Sequence, residues 1–401
     1  MAQSDLAPAA GHRGGVVVAH PGGQHSRELA RVLHEGGLLR RYVTGMDARA
    51  WPGSLLPRAL AGARIPAGVP RELVRTWPWA EAWMRIAGAF APAGLRLRMV
   101  YAALDRFDRH TAAVALEPRP AAVVGFENGA RTLFRCAREA GMRCVLDAAS
   151  VHHRAQPRDA AIRDEGFWET VASCKDEELA LADRVVVLSS YARDTYVAAG
   201  VDPARIAVIP PGVRAPAPVA RPRPPGRGLR LLFVGQAKRA KGIDLLLAAY
   251  DRLRVDDKSL RIVGPAEEPG ALPPVLPRGA VASGRLQGPA LDAAYAGADL
   301  LVLPSRADGF GFVVAEAMAA GLPVLVSSAT GAKDLVTEGV NGWIFEAGRE
   351  DRLLEALRRA AEAGPRLAEM GARAREAAAG CTWERYGERT RAFYAALEAG
   401  T

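Results

Sequence analysis

The chain has 401 residues, of which 49% are hydrophobic, and this suits two globular domains with a core each. Its 53 Lys and Arg residues exceed its 44 Asp and Glu residues, and most of the basic residues are Arg. No zinc-ligand spacing, RNA-binding aromatic motif or long basic run accompanies this charge, so a nucleic-acid partner is disfavoured. An anionic membrane surface or an acidic glycan fits the charge better.

The cysteines and the apolar runs bear on the compartment. The four cysteines show no CxxC spacing and are too sparse for a disulfide framework, which predicts a reducing compartment. The first fifteen residues lack a signal-peptide pattern, and no uncharged run reaches the roughly 20 apolar residues that span a bilayer. We therefore expect a cytoplasmic protein, attached at most to the cytoplasmic face of a membrane.

Near the amino terminus, residues 16–19 predict a strand, followed by a glycine turn at Gly22 and Gly23 and an amphipathic helix. By shape this is a phosphate-binding loop. It is neither GxGxxG nor GxxxxGK[ST], which disfavours a nicotinamide enzyme or a simple NTPase. The alternative is an ordinary tight turn.

Residues 51–110 read as irregular, with proline breaks, many Arg residues and four tryptophans. Trp beside Arg is typical of an interfacial surface, because both side chains carry an apolar body and a polar tip. The alternative is a helical insertion that packs its tryptophans inward. The tryptophans are Trp51, Trp77, Trp79 and Trp83.

From residue 121 to residue 210 strands alternate with helices, which predicts a parallel sheet covered on both faces. We expect polar residues at strand ends to face a ligand. Glu127 and Asn128 follow one strand. Asp147 and Ser150, with the pair His152 and His153, follow the next, and one of these histidines is a candidate for the reacting centre. The alternative for the histidine pair is a surface loop.

The proline-rich residues 215–228 predict a linker, after which the alternation restarts. The expected domains are residues 14–214 and residues 229–381. A last helix, residues 382–401, is expected to return to the first domain.

Two loops of the second half carry the expected ligand chemistry. Residues 300–326 form a strand-loop-helix-strand unit in which Gly309 and Gly311 allow close backbone approach to an anion. Asp308 and Glu316 suit sugar and ribose hydroxyls. The other loop, GQAKRAKG, has basic side chains that suit a diphosphate. It supplies Gly235, Gln236, Lys238, Arg239 and Lys241.

The stretch DGFGFVVAEAMAAGLPV resembles the acid-x7-Glu signature of family 4 glycosyltransferases, and KDEELALADRVVVLSS, VGQAKRAKG and NGWIF extend the resemblance. It implies the GT-B fold: α/β, with two Rossmann-like domains whose parallel sheets face each other across a cleft. In that fold residues 14–214 would form the acceptor side and residues 229–381 would bind the nucleotide sugar. It implies that Glu316 binds the nucleotide ribose and that Lys241 neutralises the leaving diphosphate. Asp308, with the backbone of Phe310, Gly311 and Phe312, would hold the donor sugar and phosphates.

The chain departs from that pattern at three places. Asp308 stands where the family usually has Glu, and Gln236 stands where Arg is usual, so that Lys238 or Arg239 would supply the missing charge. Lys333 and Asp334 replace a usual Pro-Glu pair.

The resemblance implies a retaining hexosyltransferase that moves a sugar from a nucleotide diphosphate donor to a glycan or lipid-linked acceptor, in polysaccharide or cell-envelope glycan synthesis. Because no Asp-x-Asp motif occurs, neither a metal nor another cofactor is expected. Domain closure about the linker would assemble the site. The alternatives are a non-catalytic GT-B protein that binds nucleotide sugar or glycan, and a soluble enzyme that makes a small glycoside or sugar phosphate.

Overall fold

The computed structural model describes residues 14–22, 25–45, 68–158, 162, 164–216, 228–266, 268 and 270–399. By residue contacts the chain divides into two compact units. The first unit comprises residues 1–147, 168–185 and 387–401, and the second comprises residues 148–167 and 186–386. Gly23, Trp51 and most of the predicted linker lie outside the described residues, so the linker remains a prediction.

The first sheet has seven strands within the described residues, in the order β3-β2-β1-β4-β5-β6-β7. The strands are β1 (Val16–His20), β2 (Leu39–Thr44), β3 (Val74–Thr76), β4 (Ala122–Phe126), β5 (Arg143–Ala148), β6 (Arg184–Val187) and β7 (Ile206–Val208). The helices along this part of the chain are α1 (Ser26–Glu35), α2 (Pro78–Phe90), α3 (Ala93–Leu116), α4 (Arg131–Glu139), α5 (Glu165–Leu181) and α6 (Ser190–Ala198).

The second sheet has six strands within the described residues, in the order β10-β9-β8-β11-β12-β13. The strands are β8 (Arg230–Val234), β9 (Ser259–Val263), β10 (Ala280–Ala282), β11 (Leu300–Leu303), β12 (Val324–Ser327) and β13 (Gly342–Phe345). The helices are α7 (Ile243–Arg252), α8 (Pro289–Ala296), α9 (Phe312–Ala319), α10 (Glu350–Ala363), α11 (Arg366–Ala378) and α12 (Trp383–Ala399).

Both sheets repeat the Rossmann strand order 3-2-1-4-5-6. In the first sheet the neighbouring pairs β3–β2, β2–β1, β1–β4 and β4–β5 are parallel. All neighbouring strands of the second sheet are also parallel. The order reverses between β1 and β4 in the first sheet and between β8 and β11 in the second. A crevice opens at the carboxyl ends of the strands beside such a reversal, and ligands bind there.

Apolar runs explain why the central strands form. Strand β11 is buried along its whole length, as is β12 beside it, because helices cover both faces of a parallel sheet. Pro304 follows β11 and has no N–H with which to continue the ladder. Gly311 has a φ of 85° and directly precedes α9, so the turn between strand and helix depends on a left-handed residue.

The expectation that residues 51–110 are irregular is wrong for the described part. Residues 78–90 and 93–116 are helical, and the two helices pack on each other. Two prolines read as breaks are helix starts: Pro78 is the first residue of α2, and Pro92 directly precedes α3. The sequence analysis also missed β2 and β3.

The tryptophans of this segment do not pack inward as a group. Trp77 is half-buried and stacks on His110 with ring centroids 4.8 Å apart. Trp79 and Trp83 are exposed, so the inward-packing alternative is wrong for these two. Where the structure describes the chain, it contains no helix with the length and hydropathy to span a bilayer.

Candidate functional site

Within the second unit, the loops that follow β8 and β11 meet at the strand reversal. Gly242, at the end of the first loop, has a φ of 72°, and a Cβ there would lie 2.0 Å from the carbonyl oxygen of Pro304 in the second loop. The N–H of Arg306 donates to the Ala240 carbonyl at 2.9 Å. The two loops are thus in backbone contact, and only glycine fits position 242.

This contact brings together two residues predicted from sequence. The Lys241 ammonium donates to Oδ2 of Asp308 at 2.5 Å, and both side chains are partly buried, with 25% and 13% exposed. The pair sets one positive and one negative charge side by side at the carboxyl edge of the sheet, and the ammonium belongs to Lys241. There the ammonium is positioned to meet an anion that the turn before α9 also favours.

Arg306 holds the loop after β11 in place. Its guanidinium donates to both carboxylate oxygens of Asp244, at 2.7 and 2.8 Å, and so ties the β11 loop to the first turn of α7. Partial burial would raise the pKa of Asp244, but the hydrogen bonds and charge of Arg306 hold it below its usual value. Nothing in the sequence analysis singled out Arg306.

The glycine turn before α9 is tightly held. The Gly309 carbonyl accepts a hydrogen bond of 2.6 Å from Oγ of Ser189, and a Cβ at Gly309 would lie 2.5 Å from the Ala149 carbonyl oxygen. Phe310 is buried, whereas Phe312 is partly exposed and meets it edge to face. The turn is therefore preorganised, and its backbone can approach a ligand closely.

Glu316 lies in the second turn of α9 and is half-buried. The Tyr295 hydroxyl donates to its Oε2 at 2.9 Å. Burial raises the pKa of Glu316 above its usual range, although the hydrogen bond from Tyr295 and the charge of Arg214 act against this. Arg214 is itself paired with buried Asp292. Tyr295, Arg214 and Asp292 were missed, because their spacing in sequence gives no hint of a shared site.

The other predicted residues of the β8 loop have different surroundings. Gly235 packs so closely on Gly264 that a Cβ on Gly264 would lie 1.9 Å from the Gly235 carbonyl oxygen. Gln236 and Lys238 are half-buried. Arg239 is largely exposed and pairs with Glu268 at 3.8 Å, so in this loop it is Lys241 that reaches Asp308.

The unusual pair Lys333 and Asp334 lies close to the same turn. Asp334 accepts hydrogen bonds from the N–H of Ser190 at 2.8 Å and from its hydroxyl at 2.5 Å, at the start of α6. Lys333 lies over the ring of Tyr191, 5.0 Å from its centroid. Burial, followed by the charge of Asp308, raises the pKa of Tyr191.

The predicted histidines divide into two cases. His152 is buried, and its Nδ1 accepts the N–H of Arg154 at 3.2 Å, so its ring caps a short turn. His153 packs against it, with ring centroids 4.2 Å apart and ring planes tilted by 33°, and is half-buried. A structural role for His152 is evident from these contacts.

In the first unit two histidines flank the glycine turn, His20 before it and His25 after it. The N–H of Gly22 donates to Nδ1 of His20 at 3.0 Å. His25 was not predicted, yet its Nε2 lies 2.8 Å from Oδ1 of Asp147 at the end of β5, and both side chains are buried. This pair joins the carboxyl ends of β1 and β5.

The loop after β4 is also braced by buried charge. Glu178 on α5 is fully buried and accepts the N–H groups of Asn128 and Ala130 at 2.8 and 2.9 Å. Lys175 lies 3.5 Å from Glu127. Asn128 has a φ of 68°, and its Oδ1 is buried with no hydrogen-bond partner among the described residues. A strained residue held this firmly at a strand end marks the loop as a candidate ligand contact.

Part of the chain is similar in sequence to known proteins. Residues 220–377, less than half of the chain, match the family model "Glycosyl transferases group 1". D-inositol 3-phosphate glycosyltransferase 1 of Catenulispora acidiphila is 34% identical over 248 residues, which cover 55% of this chain and 59% of that protein. The chain therefore matches less than two thirds of the length of that relative.

Solved structures show the fold. The sucrose-phosphate synthase of Thermosynechococcus elongatus aligns with a TM-score of 0.69 at 19% identity, covering 97% of this chain and all of that one. HepE of Anabaena, in complex with UDP, aligns with a TM-score of 0.63 at 16% identity, covering 95% of this chain and all of that one. The expected GT-B fold with two Rossmann-like parallel sheets is thereby confirmed.

Proposed function

We propose that this protein is a glycosyltransferase that moves a hexose from a nucleotide diphosphate sugar to a glycan or lipid-linked acceptor. The observation that carries the proposal is the Lys241–Asp308 pair at the strand reversal of the second sheet, beside the glycine turn that opens α9. A cation, a carboxylate and a helix amino terminus lie close together there, a combination that suits a diphosphate and a sugar hydroxyl. The match of residues 220–377 to group 1 glycosyl transferases supports it.

The roles divide among these residues as follows. Lys241 neutralises the diphosphate, and Asp308 with the backbone at 309–312 holds the sugar. Glu316 accepts hydrogen bonds from the ribose diol through the oxygen that Tyr295 leaves unused. Gly235, Gln236, Lys238 and Arg239 complete the donor loop, while Gly22, Gly23, His152 and His153 remain proposed donor or reacting-centre residues.

The reaction we propose retains the anomeric configuration. The bond from the anomeric carbon to the diphosphate oxygen breaks, and its electron pair leaves with the diphosphate. The acceptor oxygen bonds to the same face of that carbon, and its proton passes to the departing diphosphate. Because Lys241 and the α9 terminus stabilise the developing negative charge, we expect turnover to persist when a chelator removes divalent cations.

The acceptor is proposed in two forms. A glycan or lipid-linked acceptor, in envelope or polysaccharide synthesis on the cytoplasmic face of a membrane, is the first. The second, a small phosphorylated polyol, is favoured by the name of the Catenulispora relative, a D-inositol 3-phosphate glycosyltransferase. Comparing turnover with both acceptor classes decides between them.

The test begins with a thermal-shift screen of nucleotide sugars, followed by turnover of the donor that binds. Lys241→Ala should lower turnover by about 100-fold or more, as expected when a group that stabilises transition-state charge is lost. Glu316→Ala should chiefly weaken donor binding. Arg373→Ala, which removes an exposed charge on α11, is the matched control and should change neither.

Two results would contradict the proposal. Near wild-type turnover in Lys241→Ala, together with unchanged donor binding in Glu316→Ala, would remove the assigned roles. Tight donor binding with neither transfer nor slow donor hydrolysis, across both acceptor classes, would instead identify a non-catalytic nucleotide-sugar-binding protein.

A further inference from the structure

Helix α2 turns a row of large apolar side chains toward solvent. The exposed fractions are 70% for Trp79, 44% for Trp83, 53% for Ile86 and 85% for Phe90. Their spacing of four, three and four residues places all of them along one stripe of the helix. Single exposed apolar residues are ordinary, but a continuous row of this kind marks an interaction surface.

This row is not the face by which α2 joins the fold. A different side of the helix buries Ala80, Glu81 and Ala87, and α2 packs on α3. Leu95, in the first turn of α3, is 53% exposed and follows Phe90 after a short turn. The outward stripe, defined as Trp79, Trp83, Ile86 and Phe90, therefore remains uncovered by the described residues around it.

The chain segment that carries the outward stripe has a positive net charge. Between residues 71 and 98 there are five Arg residues and two Glu residues, a net charge of +3. One of the two acids, Glu81, is buried and paired with Arg85 at 2.6 Å. The arginines are Arg71, Arg75, Arg85, Arg96 and Arg98.

These features select one kind of partner. Trp and Phe beside Arg suit a lipid interface, where the rings enter the acyl boundary and the guanidinium groups meet phosphates. A second copy of this chain, docked by the same stripe, would bring two positively charged clusters together, which is unfavourable. An anionic membrane satisfies both the apolar row and the charge.

We propose that the outward stripe of α2 is the surface by which this protein docks on an anionic lipid bilayer. Trp79, Trp83 and Phe90 enter the interface, and the neighbouring arginines bind lipid phosphates. The inference goes beyond the proposed transferase activity and does not depend on it.

The test is co-sedimentation of the full chain with vesicles of phosphatidylglycerol and phosphatidylcholine, or of phosphatidylcholine alone. The wild type should bind the anionic vesicles at low salt and bind them more weakly as salt rises. The double variant Trp79→Ser/Phe90→Ser should bind at least about tenfold more weakly, because two exposed aromatic anchors are lost. Both residues are exposed, so the fold should survive.

The matched control is Val275→Ser/Val281→Ser, which removes two exposed apolar side chains of the second unit, 82% and 60% exposed. It should bind like the wild type. An equal loss in this control, or no vesicle binding by the wild type at low salt, would overturn the proposal. So would a wild-type dimer that the Trp79/Phe90 variant dissociates without any lipid binding. Donor turnover of the same variants without vesicles tests the transferase proposal separately.

Discussion

The ammonium of Lys241 lies 2.5 Å from Oδ2 of Asp308, so the cation expected to meet a diphosphate already has an anionic partner. An incoming diphosphate must share or displace that carboxylate. Charge-assisted hydrogen bonds contribute about 1.5 to 3 kcal/mol, so the competition is large enough to measure. The same carboxylate is proposed to hold the sugar. Asp308 should therefore weaken the binding of the nucleoside diphosphate product while it helps to hold the sugar of the donor.

Asp308→Asn should therefore bind UDP or GDP about three- to tenfold more tightly than the wild type, because Lys241 loses its competing charge. Its turnover should fall, because the sugar loses a carboxylate partner. Calorimetric titration with both nucleotides, beside a turnover assay, measures the two effects. Glu355→Gln, which removes an exposed acid paired with Arg352 on α10, is the control and should leave both unchanged. Weaker nucleotide binding in Asp308→Asn would contradict this account.

Tyr295→Phe should weaken recognition of the ribose while leaving the fold intact. The ring is fully buried and stays in place, but the hydroxyl that donates to Glu316 is lost. The pKa of Glu316 should then rise further, since this hydrogen bond opposes the effect of burial. We expect donor binding to fall about three- to tenfold, less than for a lost contact to the donor itself, because the lost hydrogen bond only orients Glu316.

The measurement compares UDP with 2′,3′-dideoxy-UDP. The wild type should prefer the diol, and Tyr295→Phe and Glu316→Gln should each lose most of that preference. If Tyr295→Phe/Glu316→Gln loses no more of the preference for the diol than Glu316→Gln alone, Tyr295 acts through Glu316. Full preference for the diol in Tyr295→Phe would show that its hydroxyl has no part in ribose binding.

Much of the fold was predictable, because alternating apolar runs and glycine turns are local signals. The strand, loop, helix and strand expected at residues 300–326 are present as β11, the glycine turn, α9 and β12, and the alternation of strands and helices expected for residues 121–210 is also present. For the described part of residues 51–110 the irregular reading was wrong, because Pro78 and Pro92 look the same whether they break a helix or begin one, and the alternative of a helical insertion was right about the helices. Composition cannot separate these cases; the start is evident only once neighbouring backbone is seen.

The candidate site was predictable only where a motif is contiguous. Asp308, Gly311 and Glu316 lie within nine residues and share one strand-to-helix unit. The partners that hold site residues come from far along the chain: His25 meets Asp147 across 122 residues, and Tyr295 meets Glu316 across 21. One sequence contains no signal for such pairings, because they depend on strand order.

The buried histidines of the first unit predict how stability varies with pH. Burial, together with the charges of His25 and Arg27, lowers the pKa of His20 from 6.5 to about 4. Burial also lowers that of His25, but the charge and hydrogen bond of Asp147 outweigh it, so the pKa of His25 is raised. The unfolded chain thus binds more protons at His20, and the folded chain binds more at His25.

The two histidines therefore change stability in opposite directions as pH rises. Between pH 4 and 6.5 stability should rise with pH through His20, by up to about 3 kcal/mol. Above pH 6.5 the contribution of His25 should be lost as pH rises through its folded pKa. Urea unfolding at a series of pH values measures the free energy of unfolding. Below pH 6.5 this free energy should rise with pH more steeply in the wild type than in His20→Gln, and Asp147→Asn should remove its fall above pH 6.5. Parallel curves for wild type and His20→Gln would contradict the assignment.

Gly242 gives the sharpest test of the contact between the two donor loops. Gly242 and Gly339 both have a φ of 72°, but a Cβ at Gly339 meets nothing within 4 Å, whereas one at Gly242 would lie 2.0 Å from the Pro304 carbonyl oxygen. An alanine at either position carries the left-handed strain of about 1 to 2 kcal/mol. Only Gly242→Ala must also push the β8 and β11 loops apart.

We therefore expect Gly339→Ala to lower the free energy of unfolding by about 1 to 2 kcal/mol, and Gly242→Ala to lower it by about 3 kcal/mol or more. Urea unfolding at constant pH measures both. Because the loops carry Lys241 and Asp308, Gly242→Ala should also weaken UDP binding, while Gly339→Ala should not. Equal losses of stability in the two variants would show that the loops yield freely at Pro304, and the close fit at the strand reversal would then not be what positions the Lys241–Asp308 pair.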